Sequence, residues 1–369
     1  MDHVLRDSDR QLGFRLHRAG PQHRGSDHRR GDPTPDASRC DQPGSTGCEV
    51  NTEPVPEPLD PLARRITEAL QVNGRASWRR IAQVLDEPVR TVARRGAALL
   101  EDGTVQVVGL TALAPTHLLR LRCRPDTVHA VARTLASWPQ TVFVYVLAES
   151  AEVITEVTAD FDALPALLGA ELDGVLTHRL TPVLQYFRTV AEWRAGVLSP
   201  AEVAELELPD VPPEQTRTGL LVDDVDRAII DALVADGRTP FETIATLAGF
   251  SEATARRRID QLIQRGVVRI RAVVGPALLG LPVEALLWIR CAPQHAEHIG
   301  TALARSPLVR YAAMVMGEYP VVVDVTARDV AELRDFLVNG PWESRVESVH
   351  ATLLIQTYKR GGVVTAALK

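Results

Sequence analysis

The chain has 369 residues, 45% of them apolar, which is material for several packed domains rather than for a small stapled scaffold. No run of about eighteen apolar residues and no basic-then-apolar N-terminus occurs, so membrane insertion and export are not indicated and the cytoplasm is the expected compartment. The net charge of −6 argues against nucleic acid only until its distribution is considered: lysine occurs just at Lys359 and Lys369, and arginines cluster between Arg75 and Arg95 and between Arg256 and Arg271.

Residues 1–57 are rich in Pro, Gly, Asp, Arg and His and show no apolar period, a composition too polar to offset the entropy of ordering, so a disordered tail is expected. The stretch reads like translation upstream of a start near Val50, which would place residues 1–49 outside the native protein; a native peptide from that range would sink the idea. Cys40 and Cys48 lie in it without zinc-like spacing.

Apolar periodicity sets in at Leu59, and residues 58–108 predict a helix-turn-helix domain with helices near Asp60–Val72, Ser77–Val84 and Pro88–Leu100. Gly96 falls on the inward face of the third helix, where it is expected to cost about 1 kcal/mol in propensity. Arg79, Arg80, Arg90, Arg94 and Arg95, with Thr91, make this unit basic and are its candidate DNA contacts. Residues 109–196 then predict strand, helix, strand, strand, helix, strand over Leu118–Arg122, Val128–Ala136, Thr141–Ala148, Ala151–Thr158, Phe161–Leu168 and Val175–Phe187, the ferredoxin-like βαββαβ order. Residues 197–221, with Ser199-Pro200 and the prolines from Pro209 to Pro213, read as a linker.

A second helix-turn-helix domain is predicted over residues 222–272. Asp223 or Asp224 caps its first helix, whose Val225, Ile229, Ile230 and Leu233 fall at helical spacing and which Gly237 ends. The second helix runs from Phe241 to Ala248, Gly249 makes the turn, and Ser251 caps a third helix reaching about Arg265. Advancing about 100° per residue, Ala255, Ile259, Leu262 and Ile263 share the packed face, and the opposite face carries Ala253, Thr254, Arg257, Asp260, Gln261 and Gln264, flanked by Arg256 and Arg258. Arg and Gln suit paired hydrogen bonds to guanine and adenine edges, and flanking arginines suit phosphates. Val267–Arg271 follows as a wing strand whose arginines, Arg269 among them, are expected on the DNA backbone. An arginine-rich helix is often only a solvated face, but basic character in both units favours DNA.

Residues 273–361 repeat the α/β order through Val283–Cys291, His295–Ala304, Val309–Met316, Val321–Thr326, Val330–Val338 and Val346–Tyr358, and residues 362–369 form a C-terminal tail. Cys123 and Cys291 stand alone in strands and are expected as buried thiols, while His295 and His298, with no third ligand, read as a surface pair rather than a metal site. At a shift of 163 residues Asn73-Gly74-Arg75 falls on Asp236-Gly237-Arg238, Ile81-Ala82 on Ile244-Ala245 and Arg94-Arg95 on Arg257-Arg258. With five residues inserted, Leu118–Cys123 falls on Leu286–Cys291, so the chain reads as a tandem duplication of a two-domain unit.

Asp236-Gly237-Arg238 before the second helix, Ser251 opening the third, Arg258 seven residues later, Leu262 ahead of Gly266, and Gly317-Glu318-Tyr319 before a valine-rich strand together resemble the leucine-responsive regulatory protein/AsnC family of transcriptional regulators. The resemblance covers about residues 59–190 and 222–361 and is stronger in the second copy. It implies α/β domains that pair sheet to sheet and assemble into rings binding amino acids between subunits; members usually carry one unit, so a fused pair is a variant. The effector residues it implies are Gly317, Glu318 and Tyr319, with Asp324 in the following strand. Pro320 departs from the family's loop and the first copy has Glu149-Ser150-Ala151-Glu152 instead, so an amino-acid-like effector and its loss both stay open.

The expected fold class is therefore α+β, two copies of a winged helix-turn-helix followed by a ferredoxin-like effector or assembly domain. The expected function is non-enzymatic: a sequence-specific DNA-binding transcriptional regulator whose partners are double-stranded DNA, an amino-acid-like effector and further copies of the chain, with no membrane, metal or cofactor. No phosphate-cradling glycine loop, zinc pair or nucleophile elbow occurs. The competing enzyme is a siroheme decarboxylase, which shares the two-domain architecture, but Gly109–His117 and Gly275–Pro282 lack its His-Asn-aromatic-x-Arg pattern. An assembly protein without DNA binding is the third reading, and the arginines oppose it.

Overall fold

The computed structural model describes residues 56–111, 114–149, 151–168, 172–208, 222–342 and 345–365. The expectations for the N-terminal tail, for the later part of the linker and for the last four residues fall outside the described residues. In the first half α1 (Pro61–Val72), α2 (Trp78–Leu85), α3 (Val89–Glu101) and β1 (Gln106–Thr111) are followed by β2 (Thr116–Cys123), α4 (Val128–Ser137), β3 (Thr141–Leu147), β4 (Glu152–Thr158), α5 (Leu164–Leu168) and β5 (Val175–Arg188). After α6 (Pro200–Leu206) the order recurs as α7 (Asp224–Ala235), α8 (Phe241–Ala248), α9 (Glu252–Gln264), β6 (Val268–Val273), β7 (Val283–Cys291), α10 (Pro293–Leu303), β8 (Val309–Val315), β9 (Val321–Ala327), α11 (Val330–Asn339) and β10 (Val346–Arg360), with a short β11 (Val363–Val364).

Helices α1, α2, α7 and α9 of the heads begin where short polar side chains take up orphan backbone donors, whereas α3 and α8 follow Pro88 and Pro240. Asp60 accepts from the amides of Leu62 and Ala63, Ser77 from Arg80, Asp223 from Asp226 and Ser251 from Thr254. Gly249 closes α8 at a φ of 72°, a left-handed conformation natural to glycine. Gly96 is no defect: a Cβ there would clash with the Trp78 ring, which fills the space beside α3. The expected cost of that glycine is thus offset by an aromatic that needs it.

Each α/β half is an antiparallel sheet, in the order β3-β4-β2-β5 and β8-β9-β7-β10. The two sheets face each other across the inner cluster, as the resemblance implies, and in addition join at their edges through β5–β8 and β10–β3, which closes them into one eight-stranded barrel. Closure pairs the sheet edges that two open sheets would leave exposed. The two seams are equivalent, since Val183 opposite Val315 recurs as Leu354 opposite Leu147. Helices cover the outside, and an inner cluster with Leu118, Phe143, Tyr145, Leu286, Trp288 and Tyr311 fills the barrel.

The two wings are not free. β1 and β6 pair antiparallel with each other, Val108 opposite its own 163-shift equivalent Arg271, so a local dyad passes through that pair. Both heads share one core cluster, which includes Ile66, Leu70, Ile81, Ile229, Leu233 and Ile259. The supposed linker also has structure in its first half. Ser199 and Glu202 form a capping box, and α6 packs on α1 and α2 with Val203 and Leu206 buried.

Candidate nucleic-acid interface and effector cavity

The exposed side of α9 forms an open concavity lined by Glu252, Ala253, Arg256, Arg257, Asp260, Gln261 and Gln264. Ala255, Ile259, Leu262 and Ile263 are buried behind it, so amphipathicity alone turns these polar side chains outward. Arg257, Gln261 and Gln264 are exposed. Arg256 is exposed too, lies 4.4 Å over the Phe241 ring and stands 3.9 Å from Glu252. Ser251 and Thr254 bond each other through their hydroxyls at 2.9 Å, which ties both to the cap.

Arg258 is turned inward: its guanidinium reaches Asp223 at 2.9 Å and Asp226 at 2.7 Å, and these carboxylates raise its pKa. Its 163-shift equivalent does the same, Arg95 meeting Asp60 at 2.6 Å. Each pair fastens the third helix of a head to the start of its first. In the first head Arg79, Arg90 and Arg94 are exposed and Thr91 is half-buried, while Arg80 donates to the Glu205 carbonyl in α6 at 2.8 Å. Arg269 points to the Ala191 carbonyl at 3.3 Å, and Arg271, 2% exposed, donates to the carbonyls of Val190 and Trp193 at 2.6 and 2.7 Å. The wing arginines therefore hold the segment after β5 rather than standing free.

A second cavity, of about 360 Å³, lies where the halves of the barrel meet. Leu118, Arg120, Arg179, Leu180, Thr181 and Pro182 come from the first half, and Trp288, Val315, Met316, Gly317, Glu318 and Tyr319 from the second. Gly317, at a φ of 116°, gives the loop its turn. Arg120 bonds Glu152 at 2.7 Å and lies 4.7 Å over the Trp288 ring, Glu318 pairs with Arg290, and the buried Trp288 Nε1 has no hydrogen-bond partner. At the equivalent place beside the other seam Glu149 meets His350 at 2.8 Å.

Asp324 does not join that cavity. It is 2% exposed inside the barrel, 3.3 Å from Arg310, which also bonds Glu284, as does Arg360. Burial pushes Asp324 up to about 6 against the pull of Arg310. Sequence reasoning missed this network, because alternation along β8 puts Arg310 on the face of Ala312, opposite Tyr311, and the register shift between Val309 and Tyr311 that brings it to Glu284 and Asp324 leaves no pattern in the sequence. Cys123 and Cys291 are buried free thiols, as expected. Among the described residues no group of three potential metal ligands occurs and no helix is long and apolar enough to cross a membrane.

Paired three-helix heads, each with an exposed polar third helix, on α/β domains that enclose a cavity define a helix-turn-helix regulator. The AsnC-type helix-turn-helix domain matches residues 222–263, and the Lrp/AsnC ligand binding domain matches residues 284–364. An uncharacterized HTH-type transcriptional regulator of Pyrococcus abyssi is 32% identical over 132 residues, 36% of this chain and 82% of that protein. The HTH-type transcriptional regulator FL11 of Pyrococcus furiosus is 29% identical over 140 residues, 38% of this chain and 93% of its own length. The chain belongs to the Lrp/AsnC family of transcriptional regulators. Over its longer span it shares a fold with the siroheme decarboxylase NirDL, at a TM-score of 0.54 and 14% identity, covering 81% of this chain and 92% of that one.

Proposed function

We propose that this chain is a sequence-specific DNA-binding regulator formed by tandem duplication, in which one polypeptide supplies both heads of a family dimer. The observation that carries the reading is the α9 face, where Arg257, Gln261 and Gln264 stand exposed over a buried apolar row. These side chains suit guanine and adenine edges, with Arg256 on a flanking phosphate. In the first head Arg79, Arg90 and Arg94 serve the same surface, and Thr91 lies along it. Mobility shifts on genomic duplexes test the reading: selective binding that weakens with salt supports it, and indifference to sequence at every salt concentration overturns it.

The cavity at Gly317, Glu318 and Tyr319 is proposed as the effector site. Exposed Arg179 and the unpartnered Trp288 indole N–H suit a carboxylate, Glu318 an ammonium, and Leu118, Leu180 and Val315 an apolar side chain, which together describe an amino acid. Further copies of the chain are proposed to associate through the outer faces of β5 and β10, where Leu184 and Ile355 are 56% and 59% exposed. Light scattering on the purified chain would show a single-chain mass if they do not.

The whole-chain likeness to NirDL favours a second reading, an enzyme acting on an anionic tetrapyrrole. Against it, His117, the histidine beside the relevant segment, is fully buried with its Nε2 3.1 Å from the Ala159 carbonyl. Mixing the protein with siroheme distinguishes the readings: a shifted pigment spectrum with carbon dioxide release would establish the enzyme.

A further inference from the structure

The tripeptides Asn73-Gly74-Arg75 and Asp236-Gly237-Arg238 meet each other across the dyad. Arg75 donates to the carbonyls of Gly237 and Thr239 at 2.7 and 3.0 Å and lies 4.3 Å over the Phe241 ring. Arg238 mirrors it, donating to the carbonyls of Gly74 and Ala76 at 2.7 and 3.2 Å and lying 4.6 Å over the Trp78 ring. The backbone repeats the exchange: the Gly74 amide donates to the Ile270 carbonyl at 3.1 Å and the Gly237 amide to the Val107 carbonyl at 2.8 Å. A Cβ on Gly74 would stand 2.8 Å from the Ile270 oxygen, and one on Gly237 2.6 Å from the Ile270 Cγ2, so both positions need glycine. Burial lowers the pKa of both guanidiniums.

The four guanidinium bonds join the turn before α2 to the turn before α8, and the two glycine amides join each turn to the opposite head's wing strand, β6 or β1. Trp78 and Phe241 are the first residues of those helices, α2 packs on α3, and α8 packs on α9. We propose that Arg75 and Arg238 are positioning residues that fix the separation and angle of α3 and α9 within one chain, so that a single chain reads two half-sites at one spacing. The proposal rests on the DNA-binding reading above. Their work lies in the carbonyls of the opposite head, not in phosphates. Spacing then acts as a specificity determinant, because each added base pair turns the second half-site by about 35° around the duplex.

Two measurements on the full chain test it. Spin labels at the equivalent exposed positions Arg90→Cys and Ala253→Cys, with Cys40→Ser and Cys48→Ser and with Cys123 and Cys291 buried, report the separation of α3 and α9 by pulsed electron resonance. The distance distribution is expected to be narrow in the parent and broad with Arg75→Met and Arg238→Met; Arg238→Lys, which keeps the charge, supplies the milder variant should the double one unfold. On duplexes selected by the parent protein from a random pool and then respaced in single base pairs, parent affinity is expected to fall roughly tenfold or more off the optimum, and the variant's to change only about threefold at an unaltered salt slope. A distribution that stays narrow in a folded variant overturns the clamp. A salt slope reduced in the variant overturns it as well, by assigning these arginines to phosphates. A parent that binds no DNA overturns the DNA reading and the half-site claim with it, while the distance distribution still decides whether the clamp holds the heads.

Discussion

Arg257 and Arg258 are neighbours in sequence with opposite surroundings. Arg257 is exposed on the α9 face, and Arg258 is held by Asp223 and Asp226. Arg257→Ala is expected to weaken DNA binding by about 1–3 kcal/mol and to leave the melting temperature alone. Arg258→Ala is expected to cost about 1 kcal/mol of stability, because its partners are partly solvated, and to leave the salt slope of binding unchanged. Melting curves and mobility shifts on the two variants check both statements, and an exchange of the two phenotypes would reverse the assignment. Helical periodicity was enough to place Arg257 outward. It was not enough for Arg258, since the pairing depends on where α7 starts relative to α9.

Gly96 sets two residue-scale effects against each other. Gly96→Ala gains about 1 kcal/mol of helix propensity but drives a Cβ into the Trp78 ring, and overpacking of that kind costs about 1–3 kcal/mol. Trp78 also carries Arg238 on its ring, so it has little room to yield, and net destabilisation is expected in urea titrations. A more stable variant would mean that the ring moves freely.

Among the elements, α6 shows how a compositional reading misleads. The proline run suggested a linker, although Ser199 and Glu202 already had capping-box spacing; what the sequence did not disclose was a surface for Val203 and Leu206 on the first head. Hydrogen bonds from the Ser199 hydroxyl and amide, with Arg65, hold Glu202 down to about 2 from its ordinary 4.5. The folded chain therefore takes that proton less readily than the unfolded chain. The stabilisation is complete above about pH 4.5 and lost as the pH falls toward 2. Glu202→Gln is expected to flatten this part of the acid limb in urea midpoints taken across the range, and an unaltered limb would remove Glu202 from the account. Strand order was legible from alternation and turn residues. Barrel closure was not, because edge pairing between residues as far apart as Val183 and Val315, or Leu147 and Leu354, leaves no local pattern.

At the scale of the whole molecule, one core joins the two heads, one barrel joins the two α/β halves, and Arg271 with Trp193 ties the β1–β6 ribbon to the segment after β5. The recurring order was readable from the 163-residue shift, but the dyad contacts were not, since Arg75 and Arg238 look like any basic residues until their partners are in place. The central claim is that the polar faces of α3 and α9 read DNA. Mobility shift on the chain's own upstream region across a salt series, comparing the parent with Arg257→Ala and Arg94→Ala, tests it most directly. Selective binding that weakens steeply with salt in the parent and fails in Arg257→Ala is the predicted result, and binding that is absent, or that Arg257→Ala leaves untouched, would contradict the account.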